Sequence, residues 1–197
     1  RMIEDFTHGG LKGIYVGEPC DLVGLPKPDW SLVRRDKYAP VGFLQATRGC
    51  NHQCRFCSIS AFHQHRFRTR PVAEVIDELN TLGRNVVFMD DSIICDPEYA
   101  KELFTAMVPL GKRWSSQCGI GIAEDHELLE LARRSGCRGL FIGFESMSDL
   151  GLRSWHKEPN IGRDYVEAVR KLHDAGIAVL AAFMLGGDQD TPDVFER

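Results

Sequence analysis

The sequence predicts an α/β fold in which a parallel sheet is covered by helices. From Val41 onward, short apolar runs alternate with amphipathic stretches of helical period. Near-continuous apolar strands of this kind belong to parallel sheets shielded by helices. Proline or aspartate opens most of the helical stretches and glycine closes them. Right-handed crossovers would then curve the sheet into a barrel or partial barrel.

Residues 1–40 lack sustained periodicity and are rich in Gly and Pro (Gly9-Gly10, Gly13, Gly17, Pro19, Pro26, Pro28, Pro40), as in a linker or domain tail. Residues 41–197 are expected to be the folded core. Val41 to Ala46 reads as a short buried strand. Pro71 opens a helix carrying Val72, Val75, Ile76, Leu79 and Leu82, and Gly83 stops it. Asn85 to Met89 is the second strand. Asp96-Pro97 starts a helix with Ala100, Leu103, Phe104 and Met107 on one face, ended by Gly111. Arg113 to Gln117 is a third, weaker strand. Asp125 caps a helix bearing Leu128, Leu129 and Ala132, ended by Gly136, and Gly139 to Phe144 is the fourth strand. Tyr165, Val166, Val169 and Leu172 line a fourth helix, stopped by Gly176, and Ile177 to Leu185 is the fifth strand. Thr191-Pro192-Asp193 reads as the cap and first turn of another helix. The chain opens at Arg1 without an initiator Met and stops just after that helix start, so an internal piece of a longer protein is expected.

At 197 residues and 43% hydrophobic, the chain can bury a real core. A net charge of −4 gives no reason to expect a nucleic-acid partner. No apolar run approaches the ~20 residues of a membrane span, and the opening residues show no basic-apolar-small signal pattern. An odd count of seven cysteines, several of them clustered, suits a reducing cytoplasm better than a disulfide framework.

Cys50, Cys54 and Cys57 fall in one eight-residue window, where chance placement of seven cysteines would put about 0.3. Such density points to a shared ligand. Three thiolates on a tight loop can hold three irons of a cubane and leave the fourth iron open. Two plainer readings are a ferredoxin-type cluster and a zinc site recruiting His52. The first normally shows a C-x2-C-x2-C-x3-C run ending in proline, and the second a distant second pair of ligands; neither follows here. In a parallel sheet all strand C-termini open on one rim. That rim would gather the cysteine loop, Asp90-Asp91-Ser92, Gln117, Glu145-Ser146 and Gly186-Gly187-Asp188.

The stretch Thr-Arg-Gly-Cys-Asn-His-Gln-Cys-Arg-Phe-Cys resembles the radical S-adenosylmethionine (SAM) superfamily, with its C-x3-C-x2-C spacing and an aromatic residue, here Phe56, before the last cysteine. The resemblance implies a partial (β/α)6 barrel, here truncated after its fifth strand. It implies that Cys50, Cys54 and Cys57 ligate a 4Fe–4S cluster whose open iron binds SAM, and that one-electron reduction releases a 5′-deoxyadenosyl radical. It places Phe56 beside adenine, and Asp90 or Asp91 where many members carry a Gly-Gly-Glu motif receiving the SAM amino group. Glu145 would meet the ribose or methionine part, and Gly186 belongs to a glycine element beside adenine. Gln117 and Ser146 are further candidates on the same rim. Each candidate also has a structural reading: a capping Asp, a Glu paired with a neighbouring cation, a plain glycine turn. The basic run His63, His65, Arg66, Arg68 and Arg70 could neutralise a carboxylate or phosphate on SAM or substrate, but a solvated face is the more frequent meaning of such a run. Cys95, Cys118 and Cys137 read as small buried hydrophobes, and Cys20 has no assigned role.

Asp90-Asp91-Ser92, Lys112-Arg113-Trp114-Ser115-Ser116-Gln117, Ser135-Gly136-Cys137 and Ile142-Gly143-Phe144-Glu145-Ser146 are similar to the cobalamin-binding class of that superfamily. Phe183-Met184-Leu185-Gly186-Gly187-Asp188, Asp190 and Phe195-Glu196-Arg197 are similar to the branch that includes hopanoid methylases. There a cobalamin domain precedes the barrel through a proline-containing linker such as Gly24-Leu25-Pro26-Lys27-Pro28-Asp29-Trp30. This chain has no D-x-H-x-x-G cobalamin motif, so cobalamin would come with a domain outside it. The resemblance implies an enzyme that functionalises an unactivated carbon of a small or lipid-like substrate, by cobalamin-dependent methyl transfer, with an external electron donor; the cysteine usage points to a cytoplasmic location. Two alternatives stay open: another radical SAM reaction such as tRNA methylthiolation, or an iron–sulfur or zinc module that binds no SAM.

Overall fold

The computed structural model describes residues 2–17 and 20–195. Arg1, Pro19, Glu196 and Arg197 of the readings above lie outside the described residues. Five parallel strands form one sheet: β1 (Gly42–Leu44), β4 (Asn85–Phe88), β5 (Arg113–Cys118), β6 (Cys137–Glu145) and β7 (Ala178–Phe183). Their order across the sheet is their order along the chain. Every crossover therefore advances one strand in the same direction. With crossovers of one hand, the connecting helices fall on one face, which is the winding of a barrel arc. Those helices are α3 (Val72–Thr81), α4 (Pro97–Met107), α5 (His126–Ser135) and α7 (Tyr165–Asp174).

The local signals explain the helix starts. Asp96, Asp125 and Asp164 accept hydrogen bonds from the backbone N–H of Tyr99, Leu128 and Glu167 at 3.1, 3.0 and 2.9 Å, each satisfying a first-turn donor. Alternation along the strands sorts their faces. Val86, Phe88, Trp114, Leu140, Ile142 and Phe144 are buried under the helices. Trp114 packs edge-on to Phe88 (5.7 Å between centroids) and tilted against Phe104 (4.9 Å), and its indole N–H donates to Ser135 Oγ at 3.1 Å. The opposite face is concave and open. Val87, Met89, Ser115, Phe141 and Leu180 line a cavity of about 430 Å³ there. The strands are thus helix-covered on one face only, not buried on both.

Several elements were not legible in the sequence. A short antiparallel ladder, two residues per strand, pairs β2 (Thr47–Arg48) with β3 (Arg68–Thr69) and closes the base of the cysteine loop as a long-looped hairpin. Two short helices, α2 (Ser58–Phe62) and α6 (Asp149–Ser154), follow the cysteines and the fourth core strand. Within the segment read as a tail, α1 (Met2–Thr7) is helical with no buried residue. Residues after it touch the core. Leu22 is buried, Trp30 packs against core residues, and Arg68 Nη1 donates to the Cys20 carbonyl at 2.6 Å. The expected helix at 191–195 is a single 3-10 turn, Pro192–Phe195. Among the described residues no helix is long and apolar enough to cross a membrane.

The basic run departs from a solvated face. His65 and Arg66 are exposed, but Arg70 is buried and donates to Glu78 Oε2 at 2.6 Å and to the Gln45 carbonyl at 2.8 Å.

Candidate functional site

The site lies at the C-terminal ends of the core strands, in a cleft of about 380 Å³. Its most distinctive wall is the cysteine loop. Gly49 begins it with φ +90°, a left-handed conformation that favours glycine, and a Cβ there would sit 2.1 Å from the Arg66 carbonyl oxygen. The Gly49 N–H donates to Asp91 Oδ2 at 2.7 Å. Cys50, Cys54 and Cys57 follow, all with free thiols: Cys54 is buried and the other two are half-buried. The Cys57 N–H donates to the Cys54 carbonyl at 3.1 Å, and the Ser60 hydroxyl donates to the His52 carbonyl. The loop docks on the end of α6, where the Arg55 N–H meets the Trp155 carbonyl at 3.0 Å and the Phe56 ring meets the Trp155 indole edge-on.

The two aspartates after β4 divide their work. Asp90 is fully buried. Its carboxylate accepts from the N–H of Ala46 (3.1 Å), the N–H of Thr47 (2.5 Å) and the Thr47 hydroxyl (2.6 Å). Burial pushes its carboxyl up to about 6, against the lowering effect of those hydrogen bonds. Asp91 faces the cleft, bonded to Gly49 and within 3.4 Å of His63 Nε2.

Across the cleft, β6 ends in Glu145, whose φ of +66° is unusual for a non-glycine residue and marks a strained strand end. The carboxylate lies 3.2 Å from Lys157 Nζ, both side chains being nearly buried. Gly143 makes room for it, because a Cβ there would sit 2.0 Å from Glu145 Oε1 and 3.3 Å from Lys157 Nζ. Lys157 arrives on the segment after α6. Buried Asn160 fixes that segment by donating to the carbonyls of Gly143 (2.8 Å) and Phe144 (3.1 Å). Burial, aided by nearby Lys157, lowers the His52 imidazole, and burial raises the Cys54 thiol.

Of the residues singled out in the sequence, Cys50, Cys54, Cys57, Phe56, Asp91, Gln117 and Glu145 line this one cleft. Asp90 is spent on the backbone beneath it. Ser146 faces a separate small pocket at the start of α7, where its Oγ accepts from the Ser148 N–H at 3.0 Å. Gly186 sits in a turn held by Asp190, which accepts from the N–H groups of Gly186 and Gly187 at 2.8 and 2.9 Å. Sequence reasoning missed Lys157, Asn160 and Cys95. Cys95 is not a core hydrophobe: it is half-buried and lines the cleft beside Cys50. Cys118 and Cys137 are buried, as expected.

Among the described residues no three His, Cys, Asp or Glu side chains converge on a single metal ion. The donor set nevertheless fits an iron–sulfur cluster, with three free thiols on one loop facing one cleft. The opposed charges of Glu145 and Lys157 fit an α-amino acid, whose ammonium and carboxylate they complement.

Over 204 residues the chain is 33% identical to bacteriochlorophyllide d C-12(1)-methyltransferase of Chlorobaculum tepidum, covering 98% of this chain and 45% of that protein. It is 30% identical to hopanoid C-2 methylase of Rhodopseudomonas palustris, covering 100% and 39%. The chain thus spans less than half the length of these relatives. In fold it is similar to the radical S-adenosylmethionine methyltransferase TsrM of Kitasatospora setae, solved with cobalamin and a [4Fe-4S] cluster bound. The TM-score is 0.75 at 20% identity, covering 89% of this chain and 38% of that one. Residues 44–197 match the radical SAM superfamily as a whole, and the chain belongs to that family.

Proposed function

We propose that this chain is the barrel of a radical SAM enzyme and that the whole protein methylates an unactivated carbon of a small or lipid-like molecule with the help of cobalamin. The observation that carries the reading is the convergence of three free cysteines and the Glu145–Lys157 pair on one cleft. Cys50, Cys54 and Cys57 hold a 4Fe–4S cluster. That cluster, when bound, supplies the electron that cleaves SAM and so provides the radical needed to attack an unreactive carbon. The residues of the chain bind and orient. Glu145 accepts from the SAM ammonium and Lys157 donates to its carboxylate. Phe56 offers an aromatic edge to the adenine, Gln117 a side-chain amide to the sugar, and Asp91 steadies the loop from the cleft side. Asp90 acts beneath the loop, while Ser146 and Gly186 shape its surroundings.

The relatives support the reaction class, since those named above are methyltransferases and a methylase that are longer than this chain. Residues 1–40 connect the barrel to an upstream cobalamin-binding domain, and an external donor in the cytoplasm supplies the electrons. The test is anaerobic reconstitution of the full-length protein. Iron and sulfide near four each per chain, an electron paramagnetic resonance signal that SAM perturbs, and cobalamin in the purified protein are expected. A triple Cys50→Ala, Cys54→Ala, Cys57→Ala protein that still holds its full iron and sulfide would overturn the proposal.

A further inference from the structure

Cys95 takes no part in the function above, yet contacts with two residues of the cysteine loop, Cys50 and Asn51, tie it there. Its Sγ lies 3.5 Å from Cys50 Sγ, and its backbone carbonyl accepts from Asn51 Nδ2 at 3.2 Å. Asn51 Oδ1 is 3.3 Å from the same sulfur. The pairing follows from topology: β1 and β4 are neighbours, so the turn after β4 abuts the loop that follows β1. Both sulfurs belong to half-buried residues lining the cleft, so a small oxidant reaches them.

We propose that Cys50 and Cys95 form a reversible disulfide when the cluster is absent, and that this bond closes the cluster site until a thiol reopens it. The effect on cluster loading rests on Cys50 being an iron ligand; the disulfide does not. The sulfurs need only approach from 3.5 Å to about 2 Å. A small-molecule disulfide such as oxidised glutathione is the oxidant. One cysteine sulfur attacks it and expels one glutathione, leaving a mixed disulfide on the protein. The other cysteine sulfur attacks the protein sulfur of that bond and expels the second glutathione. Two protein thiols are thereby oxidised, and the two glutathiones leave as thiols carrying the two protons. Iron ligation removes the Cys50 sulfur from this exchange, so the bond marks the empty site. An empty site locked in this way keeps its key ligand from irreversible oxidation to sulfinic or sulfonic acid.

The test starts from full-length protein purified with its cluster, stripped of iron by a chelator, exposed to oxidised glutathione, then unfolded in an alkylating agent and mapped by mass spectrometry. A Cys50–Cys95 link is expected, together with loss of iron and sulfide reloading until dithiothreitol is added. Cys95→Ser protein treated identically should show Cys50 only as the free thiol or as a mixed disulfide with glutathione, whose added mass distinguishes it from the internal link. A Cys54–Cys57 link in the natural sequence, or a Cys95 that stays free, overturns the proposal. If reduced protein takes up no cluster while the Cys50–Cys95 link is found, the cluster reading fails and the disulfide stands.

Discussion

Asp90 grips Thr47 twice: its Oδ1 accepts from the Thr47 backbone N–H at 2.5 Å and from the Thr47 hydroxyl at 2.6 Å. Thr47 opens the hairpin that closes the base of the cysteine loop, so a carboxylate at the end of β4 sets where the loop begins. Asp91 continues the job one residue later through Gly49. The pair holds the platform on which the cysteines are displayed.

Asp90→Ala leaves three buried donors, the N–H groups of Ala46 and Thr47 and the Thr47 hydroxyl, without their acceptor. Each unsatisfied group costs about 1–3 kcal/mol. A lowered melting temperature and less iron per chain after reconstitution are expected, with unchanged SAM affinity in the protein that does load. Normal stability with weakened SAM binding would instead return Asp90 to the SAM site.

The same carboxylate gives a pH dependence. Its folded value of about 6 lies above the ordinary 3.8, because burial penalises the charged form. Between those values the folded protein holds a proton that the unfolded chain has released. This group's contribution to stability is therefore largest below about pH 4, declines as pH rises to about 6 and is level beyond. In urea unfolding, the stability of the natural protein minus that of Asp90→Asn should shrink by pH 6.5 relative to pH 4.5. A difference that stays flat across that range refutes the assignment.

Gly49→Ala tests the loop entry. The residue has φ +90°, and its new Cβ would lie 2.1 Å from the Arg66 carbonyl, so the hairpin must shift. Strain of about 1–3 kcal/mol is expected, with a partial loss of bound iron. Gly83→Ala is the control, since nothing lies within 4 Å of a Cβ there and its φ is ordinary. Equal melting temperatures and iron contents for the two variants would show that the loop does not need glycine at its start.

The core strands and the capped helices were legible because each carries its signal locally, in apolar runs and in caps such as Asp96, Asp125 and Asp164. The hairpin was not, since two residues per strand have no period to read. Asp90 and Asp91 were indistinguishable as a pair, although strand alternation separates them. Asp90 is in step with buried Val86 and Phe88, and Asp91 with Val87 and Met89, which face the concave side. That period-two continuation was the available signal. Lys157 carried none. It reaches Glu145 only because the chain after α6 folds back and Asn160 pins it to the β6 end. Cys95 resembled an ordinary small apolar residue, and only the adjacency of β1 and β4 makes it the neighbour of Cys50.

The Glu145–Lys157 pair yields the sharpest separation between charge and shape. Both side chains are nearly buried, so removing either partner strands the other charge in the cleft. If the pair holds the amino-acid end of SAM, then Glu145→Gln and Lys157→Met should each weaken SAM binding by about 1.5–3 kcal/mol, or roughly tenfold to a hundredfold. Lys157→Arg should lose less affinity than Lys157→Met, because it keeps the charge though not the compact ammonium. Gly143→Ala changes no charge but places a Cβ where Glu145 Oε1 now sits, 2.0 Å away. The carboxylate can swing aside, so the fold should survive while SAM affinity falls with it. Equilibrium dialysis of labelled SAM against anaerobically reconstituted full-length protein reads all four variants. Undiminished binding in both Lys157→Met and Gly143→Ala would remove the pair from the SAM site and leave it a purely structural ion pair.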